Sequence, residues 1–124
     1  MKWFAVVLTV LLAGCAAQPS RQPPVVNIAT PSCSTKQQCD AMWAASQQAI
    51  ETASGTRTRL VTDGRIVTYA PSNYGRMGGE VIRHQDGDRQ EMRASFECYR
   101  STDCTELRVI ATNLFNSMVG RTRY

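Results

Sequence analysis

Apolar and small residues recur at helical spacing over Cys39, Met42, Trp43, Ser46, Ala49, Ile50 and Ala53, and the run stops at Gly55. Ser34 with Gln37, or Thr35 with Gln38, suits a capping box at its start. At this spacing Met42 and Trp43 are core residues rather than a ligand platform. After Gly55 the period shortens to that of a strand. Arg57 to Thr62 and Arg65 to Tyr69 flank Asp63-Gly64, a dipeptide suited to the positive backbone angles of a two-residue hairpin turn.

A Gly-rich stretch, Pro71 to Gly79, separates this hairpin from a second one. It lacks the Lys and Ser/Thr of a phosphate-binding loop and reads as a flexible connection with a bulge. Glu80 to Gln85 and Arg89 to Tyr99 then pair around Asp86-Gly87-Asp88. Met92, Ala94, Phe96 and Cys98 point one way and Arg93, Ser95, Glu97 and Tyr99 the other, the alternation of a strand with one face on a core. A last helix follows Cys104, with Asp103, Thr105 and Glu106 as capping candidates. It places Leu107, Ile110, Ala111, Leu114, Phe115 and Met118 on one stripe before Gly120. The expected fold is α+β: a helix, a four-stranded antiparallel meander and a helix, both helices packed on one face of the sheet.

The first 32 residues follow different rules. Trp3 to Leu12 is an apolar run of ten residues behind Lys2, too short to span a bilayer as a permanent helix. Residues 16 to 32 hold Pro19, Pro23, Pro24 and Pro31 among Gln, Ser and Arg without apolar periodicity, so they read as an extended tether of about 50 Å. Within it, Val25-Val26-Asn27-Ile28 is a candidate for docking on the domain or adding an edge strand.

Leu12-Ala13-Gly14-Cys15 resembles the lipobox of bacterial lipoproteins, in which small residues admit the processing peptidase and the Cys thiol accepts a diacylglyceryl group. That resemblance implies lipidation at Cys15 and stable anchoring by two or three acyl chains. Ala16, standing where enteric lipoproteins of the inner membrane carry Asp, implies the outer membrane with the domain facing the periplasm. The implied organisation is a signal peptide at 1–14, a lipidated tether at 15–32, one domain at 33–120 and a tail at 121–124. The mature part also resembles small proteobacterial lipoproteins with a Ser-Cys-x5-Cys-Asp-Ala-Met-Trp start, here Ser32 to Trp43, and an Asn-Leu-Phe-Asn segment, here Asn113 to Asn116. This second resemblance implies the extent of the domain and brings no functional residues with it.

Composition supports a folded body: of 124 residues, 43% are hydrophobic, and charges of both signs are interspersed. The net charge of +4, about +3 without Lys2, is too mild to mark a nucleic-acid binder, and an envelope location argues against nucleic acid as a partner. With Cys15 assigned to lipid, Cys33, Cys39, Cys98 and Cys104 remain, an even set expected to form two disulfides in an oxidising compartment. Short-range pairing, Cys33 with Cys39 and Cys98 with Cys104, is favoured because each bond closes a loop beside a helix start; crossed pairings stay open. Zinc is the weaker alternative for these thiols, since structural sites use shorter C-x2–4-C spacing.

No catalytic constellation, metal site or cofactor motif is recognisable in the chain. His84, its sole histidine, is followed by Asp86, Asp88 and Glu91, but the two Asp belong to a turn that favours them for backbone reasons. The expected function is a non-enzymatic binding or scaffolding module, membrane-bound through its lipid anchor, whose partner is an envelope protein or cell-wall component. The exposed strand face and the Gly-rich loop, with Tyr74, Arg76 and Arg83, are the expected contact surface. The alternatives are a periplasmic hydrolase inhibitor or immunity lipoprotein and, behind it, a cell-wall enzyme using His84.

Overall fold

A computed structural model describes residues 22–101 and 103–124. The signal segment, Cys15 and the tether as far as Arg21 lie outside the described residues. The chain forms β1 (Ser32–Cys33), α1 (Lys36–Ser54), β2 (Thr58–Val61), β3 (Arg65–Thr68), β4 (Gly78–Asp86), β5 (Arg89–Glu97), a short 3-10 turn (Tyr99–Ser101) and α2 (Thr105–Gly120). The sheet is antiparallel with five strands in the order β1-β5-β4-β3-β2. The fold is α+β as expected, but the meander gains an edge strand. Ser32 and Cys33 pair with Glu91 and Gln90, and Met92 N–H donates to the Pro31 carbonyl at 2.9 Å.

α1 forms where caps and apolar spacing agree. Thr35 is the N-cap of α1 and its hydroxyl accepts from Gln38 N–H at 3.2 Å, while Gln38 Oε1 accepts from Ser34 N–H at 3.1 Å. Gly55 ends the helix in the left-handed conformation, φ 75°, its N–H returning to the Glu51 carbonyl. Cys39, Met42, Ser46, Ala49 and Ile50 are buried, as the spacing predicts, and Trp43 and Ala53 are partly so.

Ile66, Val81, Met92 and Phe96 share one sheet face by register and form one core with both helices. Burying side chains of this size contributes roughly 1.5–3 kcal/mol each. α1 touches all five strands, whereas α2 packs chiefly on α1 and on β5. Gly79 brings β4 and α1 together: a Cβ there would stand 2.7 Å from Ile50 Cδ1. Both short-range cysteine pairs are at bonding distance, Cys33 with Cys39 (Cα–Cα 5.2 Å) and Cys98 with Cys104 (5.9 Å), so each bond closes a loop at a helix start.

Two expectations need correction. The Asp63-Gly64 hairpin forms, but among the described residues positive φ is confined to Gly55, Gly87 and Arg100. The turn is held instead by Thr62, whose hydroxyl accepts from the N–H groups of Gly64 and Arg65, and it is the second hairpin that uses a left-handed glycine, Gly87 at φ 63°.

The core stripe of α2 is also rotated from the one expected. Ala111, Phe115, Asn116 and Val119 are buried, while Leu107, Ile110 and Leu114 are 48%, 56% and 41% exposed. The physical reason is the docked segment before β1. Asn113 donates to the Val25 carbonyl at 3.0 Å and accepts from the N–H groups of Asn27 and Ile28 at 3.0 and 3.2 Å; Asn116 donates to the Ile28 carbonyl at 2.9 Å. Residues Val25 to Ile28 therefore dock on α2 rather than extend as part of the free tether.

Candidate binding face

The helices cover one side of the sheet and leave the other bare. Register assigns Arg65 and Val67 of β3, Glu80, Ile82 and His84 of β4, and Glu91, Arg93, Ser95 and Glu97 of β5 to the open side. A shallow depression of about 300 Å³ lies here, lined by Arg65, Val67, Gly78, Glu80, Ser95 and Glu97 among others. Gly78 has no side chain to fill it, and the Glu97 side chain lies across that glycine, with Cγ 2.8 Å from where a Cβ would be.

Charge on this face is arranged in pairs. Arg65 Nη2 meets Glu80 Oε2 at 2.7 Å across neighbouring strands, and Arg93 Nε meets Glu91 Oε2 at 2.8 Å. Both guanidinium groups are about half exposed, so the pairs are weak in energy and available to exchange partners. Ile82, 37% exposed, lies between them, opposite Arg93 and Arg65, and supplies apolar contact area.

His84 lies further along the same face, directly opposite Glu91 in the β4–β5 register, and Asp86 stands opposite Arg89. Glu91 is engaged by Arg93, and the imidazole of His84 takes no hydrogen bond or ion pair among the described residues. A base with a carboxylate orienter is thus not assembled around it. The described residues contain no group of His, Cys, Asp and Glu suited to a metal ion.

Of the three contact residues expected from the sequence, two stay together and one separates. Tyr74 and Arg76 are exposed in the loop between β3 and β4; the Tyr74 ring meets Tyr99 edge-on at 4.9 Å, and Arg76 Cγ lies by Gly55. That loop is pinned at its far end, where Met77 N–H donates to the Ser54 carbonyl and the Thr56 hydroxyl donates to the Met77 carbonyl.

Arg83 is seven residues beyond Arg76, roughly 23 Å along an extended chain, and points to the helix side. Its side chain is only 18% exposed. The guanidinium donates to Gln90 Oε1 at 2.6 Å and Asp40 Oδ1 at 3.1 Å, and it sits 5.7 Å from the Trp43 ring centroid. Asp40 is held below the usual carboxylate range by hydrogen bonds from Lys36 and then Arg83. Arg83 therefore joins β4 to α1. The alternation of β4 carried the signal that separates it from the face, since residues 79, 81 and 83 share the core side.

A second exposed feature lies on the helix layer. Leu107, Ile110 and Leu114 of α2 form, with Ala53, Gly55, Gly75 and Met77, a groove of about 230 Å³ beside the end of α1. Among the described residues no helix is long and apolar enough to cross a membrane. No family model, curated protein or solved structure matches the chain.

Proposed function

We propose that this chain is a lipid-anchored module of the bacterial cell envelope, attached through Cys15 to the outer membrane, facing the periplasm and binding another envelope component without turnover. The observation that carries the reading is the one-sided cover of the sheet. A small domain that leaves a depression, exchangeable Arg–Glu pairs and an exposed Ile82 on its open sheet face presents a ready binding surface. The lipobox-like Leu12-Ala13-Gly14-Cys15 supports the anchor.

The partner is an envelope protein or a cell-wall component, and the contact residues are Arg65, Val67, Ile82 and Arg93 of the open sheet face. In-cell crosslinking followed by mass spectrometry tests this. A dominant partner recovered with the anchored chain and lost with Val67→Asp or Ile82→Asp is the expected result. Equal recovery from both variants excludes the sheet face, and equal recovery from Cys15→Ser excludes a need for the anchor.

A further inference from the structure

α2 carries more apolar surface than the domain covers. Leu107, Ile110 and Leu114 follow one another at i, i+3 and i+7, so their side chains form one outward stripe about two turns long. The docked segment lies on the adjoining flank, held by Asn113, which is three residues from Ile110 and next to Leu114. Val25 and Val26 are 65% and 52% exposed there. Arg121, Arg123 and Tyr124 are exposed at the C-terminal end of the helix.

We propose that this outward side of α2, with Val25 and Val26, is a bilayer-facing surface that rests in the interfacial zone of the membrane holding Cys15; the inference rests on the anchored reading above. The length of chain between anchor and domain carries it. With Val25 fixed to α2, residues 16 to 24 alone separate it from Cys15, which is about 28 Å at polyproline rise rather than the 50 Å of a tether running to Ser32. A domain of this size has a radius of gyration of about 13 Å, so the reach of these nine residues is no longer than the domain is wide.

The side from which so short a tether departs is the side kept nearest the bilayer. That side offers an apolar stripe, and cations and a Tyr beyond its end, the combination that suits the boundary between headgroups and acyl chains. The open sheet face lies across the core from this surface and is turned toward the periplasm, where a partner reaches it.

The test attaches the chain from Cys15 onward, which contains every described residue, to vesicles of phosphatidylethanolamine and phosphatidylglycerol that include brominated lipid. Coupling runs through the Cys15 thiol to a maleimide lipid, the other four cysteines being paired in disulfides. Leu114→Trp is compared with Ile82→Trp, and the unsubstituted chain supplies the Trp43 background.

Quenching of the Leu114→Trp signal by about two-fold, with the Ile82→Trp signal unchanged, is the expected result. No quenching at Leu114→Trp, or equal quenching at both positions, overturns the proposal. Shielding of Leu114→Trp by copy-to-copy contact in lipid-free solution also overturns it, because the stripe is then a self-association surface. Since the coupling is chemical, none of these outcomes depends on lipidation in the cell. Palmitate labelling of the native chain against Cys15→Ser tests that reading separately.

Discussion

The side-chain amide of Asn116, 3% exposed, donates to the carbonyl of Ile28 at 2.9 Å across 88 residues of sequence. Its neighbour one turn back, Asn113, bonds Val25, Asn27 and Ile28. Two amides on one helix face thus satisfy both donors and acceptors of an extended backbone, much as a neighbouring strand does. Asn116→Ala leaves the Ile28 carbonyl without this partner and is expected to destabilise the fold by about 1–3 kcal/mol in urea unfolding. Asn113→Ala is expected to speed hydrogen exchange at Asn27 and Ile28.

Arg83 and Arg76 look alike in sequence and differ in role. Arg83→Ala removes contacts to Asp40, Gln90 and Trp43 and is expected to cost about 1–2 kcal/mol of stability. Arg76→Ala, at an exposed loop position, should stay within about 0.5 kcal/mol of the parent. Chemical denaturation of the two variants side by side distinguishes them.

The glycines divide by what surrounds them. Gly79→Ala drives a methyl group into Ile50 and is expected to cost about 1–3 kcal/mol. Gly87→Ala forces a left-handed residue to carry a side chain, at about 1–2 kcal/mol. Gly64→Ala meets open space without positive φ and should be neutral or stabilise by about 0.4–1 kcal/mol. Thermal unfolding of the three variants should give that order.

Each disulfide closes a loop between cysteines six positions apart, for which chain entropy gives about 2 kcal/mol per bond. Cys98→Ser/Cys104→Ser and Cys33→Ser/Cys39→Ser should each lose stability of this order. Mass spectrometry of a non-reducing digest should recover the two short-range pairs, and a peptide linking Cys33 to Cys98 or Cys104 would contradict them.

Asp40 and Asp103 both have carboxyls held below the ordinary Asp value of 3.8, Asp40 by Lys36 and Arg83, and Asp103 by the hydroxyl and then the N–H of Thr105. A pKa lower in the folded chain than in the unfolded one means stability is present above the unfolded value and is lost as pH falls through the folded one. Stability should therefore decline as pH drops below about 4, and Asp40→Asn with Asp103→Asn should flatten that decline. Urea titrations at stepped pH measure both.

Local pattern was enough to specify most of the scaffold. α1 with its Thr35–Gln38 cap and Gly55 stop, the two hairpins, the inward set Met92 and Phe96, and the short-range cysteine pairs all follow from signals within one turn or one strand. Such signals are short-range because helix period, strand alternation and small-loop closure each depend on neighbours a few residues away. The lipobox-like sequence around Cys15 is likewise a local signal.

Tertiary structure decided what local pattern leaves degenerate. The apolar arc of α2 is wider than the domain can cover, so a helical wheel does not say which part faces the core; Asn116 and the docked Val25 to Ile28 segment settle it, leaving Leu107, Ile110 and Leu114 outside. The strand at Ser32–Cys33 exists only because β5 has a free edge beside it. Arg83 leaves the expected contact set because alternation turns it toward Asp40 and Trp43, a meeting of residues 43 and 40 positions apart. Such contacts join elements distant in sequence, and the packing that selects them comes into being only when the helices settle on the sheet.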